Sequence, residues 1–422
     1  MSVVLPPSAA PRSAYPQEVL PGPVRERLLR LARTATPVAA YLYDVPTAAD
    51  RARELRTALP DWAAVHYAVK ANSFPGVVHG LAPHVDGFEV ASSAELALAL
   101  DALHTAAASR GTGGSGGPPP VVAAGPAKSV PVLTALVRAR VEAINAESLL
   151  ELHRISRIAT EEGTTARVTL RVNPAAVPVT GSLHMGGEPS QFGIAEPDVA
   201  EVLREARRLP GLDLTGFHLH AASNNLDAES QAAYLRWCVR WSTATAAEHR
   251  IELRHIDVGG GIGVAFEDEP PFDTARFGEL IGDAEPPPGA RVILEPGRFL
   301  VADCGWYAAE VTDVKRSYGR WFAVLRGGIN HFQLPTSWEI VHNAAVLPVE
   351  HWAERCPRPT ATDTRVTVVG ELCTPEDTLL REVHMDRIRA GDLVVFPRAG
   401  AYGWEFAMHA FLGHPPAERL LL

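Results

Sequence analysis

Between residues 65 and 295, short apolar runs are separated by longer stretches with helical periodicity. The runs predict strands at residues 65–70, 87–90, 121–125, 142–145, 168–172, 214–220, 255–258 and 292–295. The intervening periodicity predicts helices at 93–103, 130–140, 148–162, 198–208 and 228–249, with shorter ones at 75–81 and 274–281. Glu95 and Glu147 stand at helix openings, where a negative charge suits the helix dipole. Eight strands alternating with helices predict an α/β fold with a parallel sheet, closed over this length into a (β/α)8 TIM barrel. Active sites of such barrels lie at the C-terminal ends of the strands. Lys70, Glu89, Asn145, Asn173, His220, the glycines after Val258, and Glu295 occupy those ends.

After Arg298 the helical periodicity stops. Strands are expected at 307–314, 321–325, 365–369 and 393–396, which reads as a mostly-β domain. The resulting division is an N-terminal tail and joining segment over 1–38, a barrel over 39–298, and a β domain over 299–422. A strand at 39–44 can instead join the β domain, so that both ends of the chain build one domain around an inserted barrel. Residues 24–34 have helical spacing behind a Pro- and Ala-rich tail over 1–22. Residues 105–120, rich in Gly and Pro, read as a disordered insert in the barrel.

Composition narrows the function. Of 422 residues, 46% are hydrophobic and 21% charged, as in ordinary globular proteins. The net charge of −10 argues against nucleic acid or an anionic membrane as partner, because no basic surplus exists to release counterions. No apolar run has the length of a membrane span, and the first residues lack a secretory pattern, so a cytoplasmic protein is expected. Cys238, Cys304, Cys356 and Cys373 are scattered without a CxxC pair, so neither a disulfide framework nor a metal site is expected.

Five stretches carry chemistry. His66 to Asn72 is an apolar strand ending in Lys70, and a lysine desolvated there has a lowered pKa and a nucleophilic amine. A lysine reaching the rim of a domain has the same local pattern. Val258 to Gly263 places bare glycines after a strand, which either cradle a phosphate with backbone N–H groups or make a tight turn. Glu295-Pro296-Gly297-Arg298 sets an acid beside an arginine, fit for a heterocycle nitrogen and a phosphate, or for a surface ion pair. Strand alternation points His218 and His220 to one side, where an imidazole can stack on a flat cofactor, with Ser223 near to donate to a phosphate. Cys373, between Glu371 and Asp377, is either a proton donor or a core thiol. Together these supply what pyridoxal 5'-phosphate requires: an amine, a ring partner, a phosphate cradle and an acid for the ring nitrogen.

With these motifs in order, the chain resembles the fold-type III pyridoxal-phosphate decarboxylases, which include diaminopimelate and ornithine decarboxylases. The resemblance runs from about Ala39 to Gly413 through Tyr67-Ala68-Val69-Lys70-Ala71-Asn72, Gly125-Pro126-Ala127-Lys128, Arg171-Val172-Asn173-Pro174, Phe192-Gly193-Ile194, His220 with Ser223, Asp257 with Gly259–Gly261, Glu295 to Arg298, Cys373 with Asp377, and Gly400-Ala401-Tyr402. It implies an alanine racemase-like fold of barrel plus β domain. It implies that Lys70 forms the Schiff base, that His220 stacks on the ring, and that Ser223, Gly260, Gly261, Arg298 and Tyr402 hold the phosphate. Glu295 would pair with the pyridine nitrogen. Cys373 would come from the second subunit of a homodimer with shared active sites and, with Lys70, would serve protonation of the α-carbon.

The substrate segment departs from diaminopimelate decarboxylase. Leu334 stands where that enzyme has an arginine, and Trp338 where it has a tyrosine. A charged distal amino-carboxylate would lose its partner, at a cost of roughly 3–5 kcal/mol. Smaller departures are Glu89 for a usual Asp, Ala221-Ala222 for Ile-Gly, and Gln191 for a usual Lys. Gly328 to Phe332 and Phe411 to Pro415 most resemble a specialised-metabolism branch, acting on citrate-conjugated diamino acids such as citryl-diaminopropionate in siderophore pathways, or on amino acids bound to a carrier protein. His331, Trp338, His342, Asn343 and Asp377 are the expected substrate contacts. The alternatives are a diaminopimelate decarboxylase of lysine biosynthesis, an amino-acid racemase or epimerase, and a non-catalytic cofactor-binding protein.

Overall fold

The computed structural model describes residues 20–34, 37–110, 117–178, 189–266, 268–334, 343–352 and 354–422, and the backbone of 183–184. In chain order the elements begin with helix α1 (Gly22–Thr34), strand β1 (Ala39–Tyr43) and helix α2 (Val45–Ala58). The barrel strands follow: β2 (Ala63–Ala68), β3 (Gly87–Val90), β4 (Val121–Ala123), β5 (Ala143–Ala146), β6 (Ala166–Asn173), β7 (Leu212–Leu219), β8 (His255–Asp257) and β9 (Arg291–Leu294). Among the helices between them are α3 (Pro75–Leu81), α4 (Ser93–Ser109), α5 (Val130–Ala139), α6 (Leu149–Glu161), α7 (Val199–Ala206), α8 (Ala228–Glu248) and α9 (Thr274–Ile281).

Two compact units emerge. One is Val45–Ala302; the other joins the chain up to Asp44 with Asp303–Leu422. In the first, β2 to β9 pair in sequence order, all parallel, and β9 returns to β2 to close the ring. Every residue of β2 is buried, as a strand needs when helices cover one face and the barrel interior the other. Ala64, Val122, Ala143 and Ile293 form a packed interior cluster, each at most 1% exposed. Among the described residues, no helix is long and apolar enough to cross a membrane.

At the N-terminal ends of the barrel strands, Glu142 lies 3.6 Å from His66 Nε2, 3.3 Å from His255 Nε2 and 3.6 Å from an Arg291 nitrogen. Burial holds the fully enclosed His66 ring down to about 4. Burial opposes ionisation of Glu142, yet His255, His66 and Arg291 together bring its carboxyl down to about 2.

The second unit contains β10 (Gly305–Ser317), β11 (Arg320–Leu325), β12 (Ala345–Leu347), β13 (Thr360–Val369), β14 (Thr378–Arg389), β15 (Leu393–Phe396) and β16 (Glu418–Leu421). Strand β1 lies between β10, antiparallel to it, and β16, parallel to it. The barrel unit therefore starts at Val45 and not at residue 39, because the hydrogen bonds of Ala39–Tyr43 go to the β unit. Val24, Leu28 and Ala32 of α1 join Val38, Ala40, Leu42, Trp306 and Leu393 in its core. Buried Asp392 ties this unit together, accepting from Val349 N–H at 3.0 Å, Arg358 at 3.1 Å and Arg389 at 2.9 Å.

One further expectation changes. Helix α4 continues to Ser109, so the insert does not begin at residue 105, and 111–116 lie outside the described residues. Most of the N-terminal tail, residues 1–19, lies outside them too.

Candidate active site

Strand β2 stops at Ala68 and turns through Val69–Ala71, with Asn72 N–H donating to Val69 O at 3.0 Å and Tyr67 Oη to Asn72 O at 2.8 Å. This turn carries Lys70 out of the strand end. Its Nζ lies 2.8 Å from Glu89 Oε2, with the lysine side chain 40% exposed and the glutamate wholly buried. Glu95 nearby braces the start of α4, accepting from Ala91 N–H at 2.6 Å while its own N–H donates to the N-cap Ser92 Oγ at 3.2 Å. Burial, then the charge of Glu89, pushes the Glu95 carboxyl up to about 7.

The loops after β7 and β8 are knitted together. Asn225 N–H donates to Gly261 O and Gly263 N–H to Asn225 O, each at 2.8 Å, which brings Ser223 beside the glycine run. Gly260 N–H donates to His220 Nδ1 at 3.2 Å. Glycine is required here: Gly259 has φ +68° and an added Cβ would lie 2.3 Å from His220 Nδ1, while one at Gly260 would lie 2.8 Å from Glu295 O. The His218 and His220 rings are within 17° of parallel, with centroids 6.3 Å apart. Burial, then Arg171, holds both imidazoles well below their usual value.

Asp257 ends β8 and Glu295 follows β9. They are 1% and 3% exposed. Burial raises Asp257 to about 6, and burial followed by the charges of Asp257 and Glu89 raises Glu295 well above the carboxylate range. Among the described residues Glu295 Oε1 has no hydrogen-bond partner. Gly297 seats this turn against the lysine turn, since a Cβ there would lie 2.8 Å from that of Ala71. Buried Arg298 lies with its guanidinium 5.9 Å from the centre of the Phe266 ring.

A chain of buried charges crosses three successive strand ends. Lys128 Nζ lies 2.9 Å from Glu151 Oε1 and donates to Gly125 O and Asn145 O. Glu151 Oε2 accepts from Glu147 N–H at 2.8 Å. Glu147 pairs with Arg171 at 2.9 Å and accepts from Gly193 N–H at 3.0 Å. The Arg171 guanidinium stacks 4.7 Å over Phe192. Glu147 thus serves an arginine and not the helix dipole; Ser148 caps α6, and Glu151 is the acid of its first turn. The three motifs around Lys128, Arg171 and Phe192 form one physical unit.

The barrel unit brings together Lys70, His220, Ser223, Gly260, Gly261, Glu295 and Arg298. Cys373, Tyr402, His331 and Asp377 belong to the β unit. Cys373 is exposed and free. Its loop is held by Asp377, whose oxygens accept from Ile329 N–H and Leu372 N–H at 2.8 Å each, so this carboxylate braces backbone. Tyr402 has φ +60°. His331 is 1% exposed, and its ring nitrogens lie 3.0 Å from Pro415 O and 3.3 Å from Tyr307 Oη. Trp338 and His342 lie outside the described residues. Sequence reasoning gave no role to Asp257, Lys128, Arg171 or the Glu89–Lys70 pair. Their shared signal is an ionisable residue at or just beyond the C-terminal end of a barrel strand.

These residues fit pyridoxal phosphate. A mouth amine, an imidazole face, a loop whose cradle two Cβ atoms would fill, and a buried acid with one oxygen lacking a donor match its aldehyde, ring, phosphate and ring nitrogen. Comparison with known proteins agrees. The family described as "Pyridoxal-dependent decarboxylase, pyridoxal binding domain" matches residues 47–302. The chain is 36% identical over 394 residues to 2-[(L-alanin-3-ylcarbamoyl)methyl]-2-hydroxybutanedioate decarboxylase of Staphylococcus aureus, covering 92% of this chain and 94% of that one. It is 31% identical over 388 residues to L-glutamyl-[BtrI acyl-carrier protein] decarboxylase of Niallia circulans, covering 90% and 88%. The crystal structure of diaminopimelate decarboxylase from Helicobacter pylori complexed with L-lysine superposes with TM-score 0.79 at 26% identity, covering 93% of each chain. The chain belongs to the pyridoxal-dependent decarboxylases and is an enzyme of that family.

Proposed function

We propose that this enzyme removes the α-carboxylate of a diamino acid whose distal amine is blocked by amide linkage to a citrate-like polycarboxylate. The observation that carries this reading is the near full-length similarity to the Staphylococcus aureus decarboxylase, whose name gives such a conjugate as its substrate. Leu334 supports it. Fully buried, it stands where the diaminopimelate resemblance expects an arginine for a distal carboxylate. The Niallia circulans relative supports a carrier-bound amino acid as the second substrate class.

When bound, pyridoxal phosphate supplies the electron sink that accepts the pair released as carbon dioxide leaves. The chain does the rest. Lys70 offers its amine at the strand end, oriented by Glu89 at 2.8 Å, and gives way to the α-amine of the substrate. His220 would lie against the ring face, its imidazole held well below its usual value by burial and then Arg171. Ser223, Gly260, Gly261 and Arg298 would hold the phosphate, and Glu295 would meet the ring nitrogen. Cys373, contributed by the second copy in a cytoplasmic homodimer, or Lys70 returns a proton to the α-carbon.

The test is carbon dioxide release from citryl-diaminopropionate, meso-diaminopimelate, ornithine, lysine and carrier-bound glutamate, with Lys70→Ala as control. Release from the citryl conjugate is expected. Release from diaminopimelate alone, or racemisation without release, overturns the reading.

A further inference from the structure

Four buried polar side chains run in one line across the barrel interior. Thr169 Oγ1 on β6 donates to Asn145 Oδ1 on β5. Asn145 Nδ2 donates to Asp257 Oδ2 at 3.0 Å, and Gly259 N–H donates to Asp257 Oδ1 at 2.9 Å. Asp257 in turn faces Glu295. One oxygen from each acid and a ring nitrogen of His218 all lie within 4.8 Å of one another. Thr169 and Asn145 are wholly buried, Asp257 is 1% exposed and Glu295 3%.

Two carboxyl groups this close, out of water, do not both ionise; they share one proton. The donors around them decide where it sits. Each oxygen of Asp257 already accepts an N–H, which stabilises its anion. Among the described residues Glu295 Oε1 accepts nothing, and of the groups facing Glu295 only Lys70 favours its anion. Besides Asp257 they are Glu89, a second acid; Lys70, which Glu89 binds at 2.8 Å; and His218, 3.8 Å away, enclosed and with neither ring nitrogen hydrogen-bonded. Arg171, Lys128 and His220 bear on His218.

We propose that in the cofactor-free enzyme this pair holds a single proton on Glu295, and that Asp257, fixed by Asn145 and Gly259, is the positioning residue that keeps it there. Glu295 then meets an incoming pyridine nitrogen as a carboxylic acid. Its O–H bond breaks, an N–H bond forms on the ring, and the electron pair stays on the Glu295 oxygen. The ring nitrogen is thereby charged from a store inside the barrel. This inference rests on the reading of the site as a pyridoxal phosphate site.

The experiment is infrared spectroscopy of the cofactor-free enzyme, with glutamate or aspartate carrying carbon-13 in the side-chain carboxyl. A protonated-carboxyl carbonyl band is expected at neutral pH. It should move to lower frequency with labelled glutamate, stay in place with labelled aspartate, be lost in Glu295→Gln, and disappear from the wild-type spectrum on adding pyridoxal phosphate. Asp257→Asn should also remove it, because the amide can donate to an ionised Glu295; a merely structural role for Asp257 would leave it. A band that follows the aspartate label puts the proton on Asp257 and overturns the proposal, as does the absence of any protonated band. The labelled wild-type chain gives the answer even where a variant fails to fold. The readout is independent of substrate: the band with no carbon dioxide release would sink the proposed substrate and keep the dyad, and release without the band would do the reverse.

Discussion

Replacing Arg171 with Met tests the wall of buried charge beside the site. The side chains of Arg171 and Glu147 are 6% and 5% exposed, and they meet at 2.9 Å. Without the guanidinium, Glu147 keeps Gly193 N–H at 3.0 Å but has lost its countercharge. An unpaired buried charge of this kind costs about 3–5 kcal/mol. Loss of the stack on Phe192 adds about 1 kcal/mol. At roughly 2–4 °C per kcal/mol, the barrel should melt on the order of 10–20 °C lower. The double variant Glu147→Gln/Arg171→Met removes both charges and leaves an amide oxygen for Gly193 N–H. It should recover more than half of that loss.

Thermal and urea unfolding followed by far-ultraviolet circular dichroism would measure this double-mutant cycle. The same series has a pH signature. His218 and His220 titrate below their unfolded value, so they add stability above about pH 6.5 that is lost as pH falls towards their folded values. Arg171 is the largest cause after burial. Without it the imidazoles protonate more readily in the fold, and the acid loss becomes shallower. A single variant within about 1 kcal/mol of wild type, or a double variant no better than the single, would refute the reasoning.

Three further outcomes are expected. The barrel should lose stability progressively from about pH 6.5 to pH 2, because His66, held at about 4, and Glu142, held at about 2, both take up protons on unfolding; Glu142→Gln should flatten that fall in a pH series of melting curves. Gly259→Ala must displace His220 and strain a backbone at φ +68°, a cost of about 1–3 kcal/mol, so pyridoxal phosphate should bind roughly tenfold to hundredfold more weakly in an absorbance titration. If active sites are shared across a homodimer, mixing inactive Lys70→Ala and Cys373→Ala chains should restore about a quarter of wild-type activity, and no recovery after subunit exchange would count against sharing.

The barrel was legible because most residues of its strands are buried and most are apolar, and eight such runs with intervening helices leave few alternatives. Helix α2 was not expected. It buries Ala48, Ala49, Ala52 and Leu55, and a face made mostly of alanine gives little hydrophobic contrast. Strand β14 was missed because Arg381, Asp386 and Arg387 break up its apolar residues; they face outward, which only the paired strand β13 reveals. The partners of His331 were hidden for a related reason: Pro415, whose carbonyl oxygen lies 3.0 Å from its Nε2, is 84 residues further on.

The site was legible in its parts and not in its couplings. Lys70, His220 and Glu295 stand out because each is a polar residue at the end of an apolar strand. What acts on them comes from other strand ends: Glu89 from 19 residues away, Arg171 bound to Glu147 across 24, and Asn145 to Asp257 across 112. Barrel closure supplies these meetings. Strands β8 and β9 pair with Asp257 opposite Ile293, so the residue two beyond Ile293, Glu295, emerges at the same rim as Asp257. The same ring places Asn145, from β5, against Asp257 through the interior. In a closed parallel barrel, every strand-end acid is therefore a potential neighbour of every other. The charge state of the site is set by which of them receives backbone and amide donors: Asp257 receives them, and Glu295 Oε1 does not.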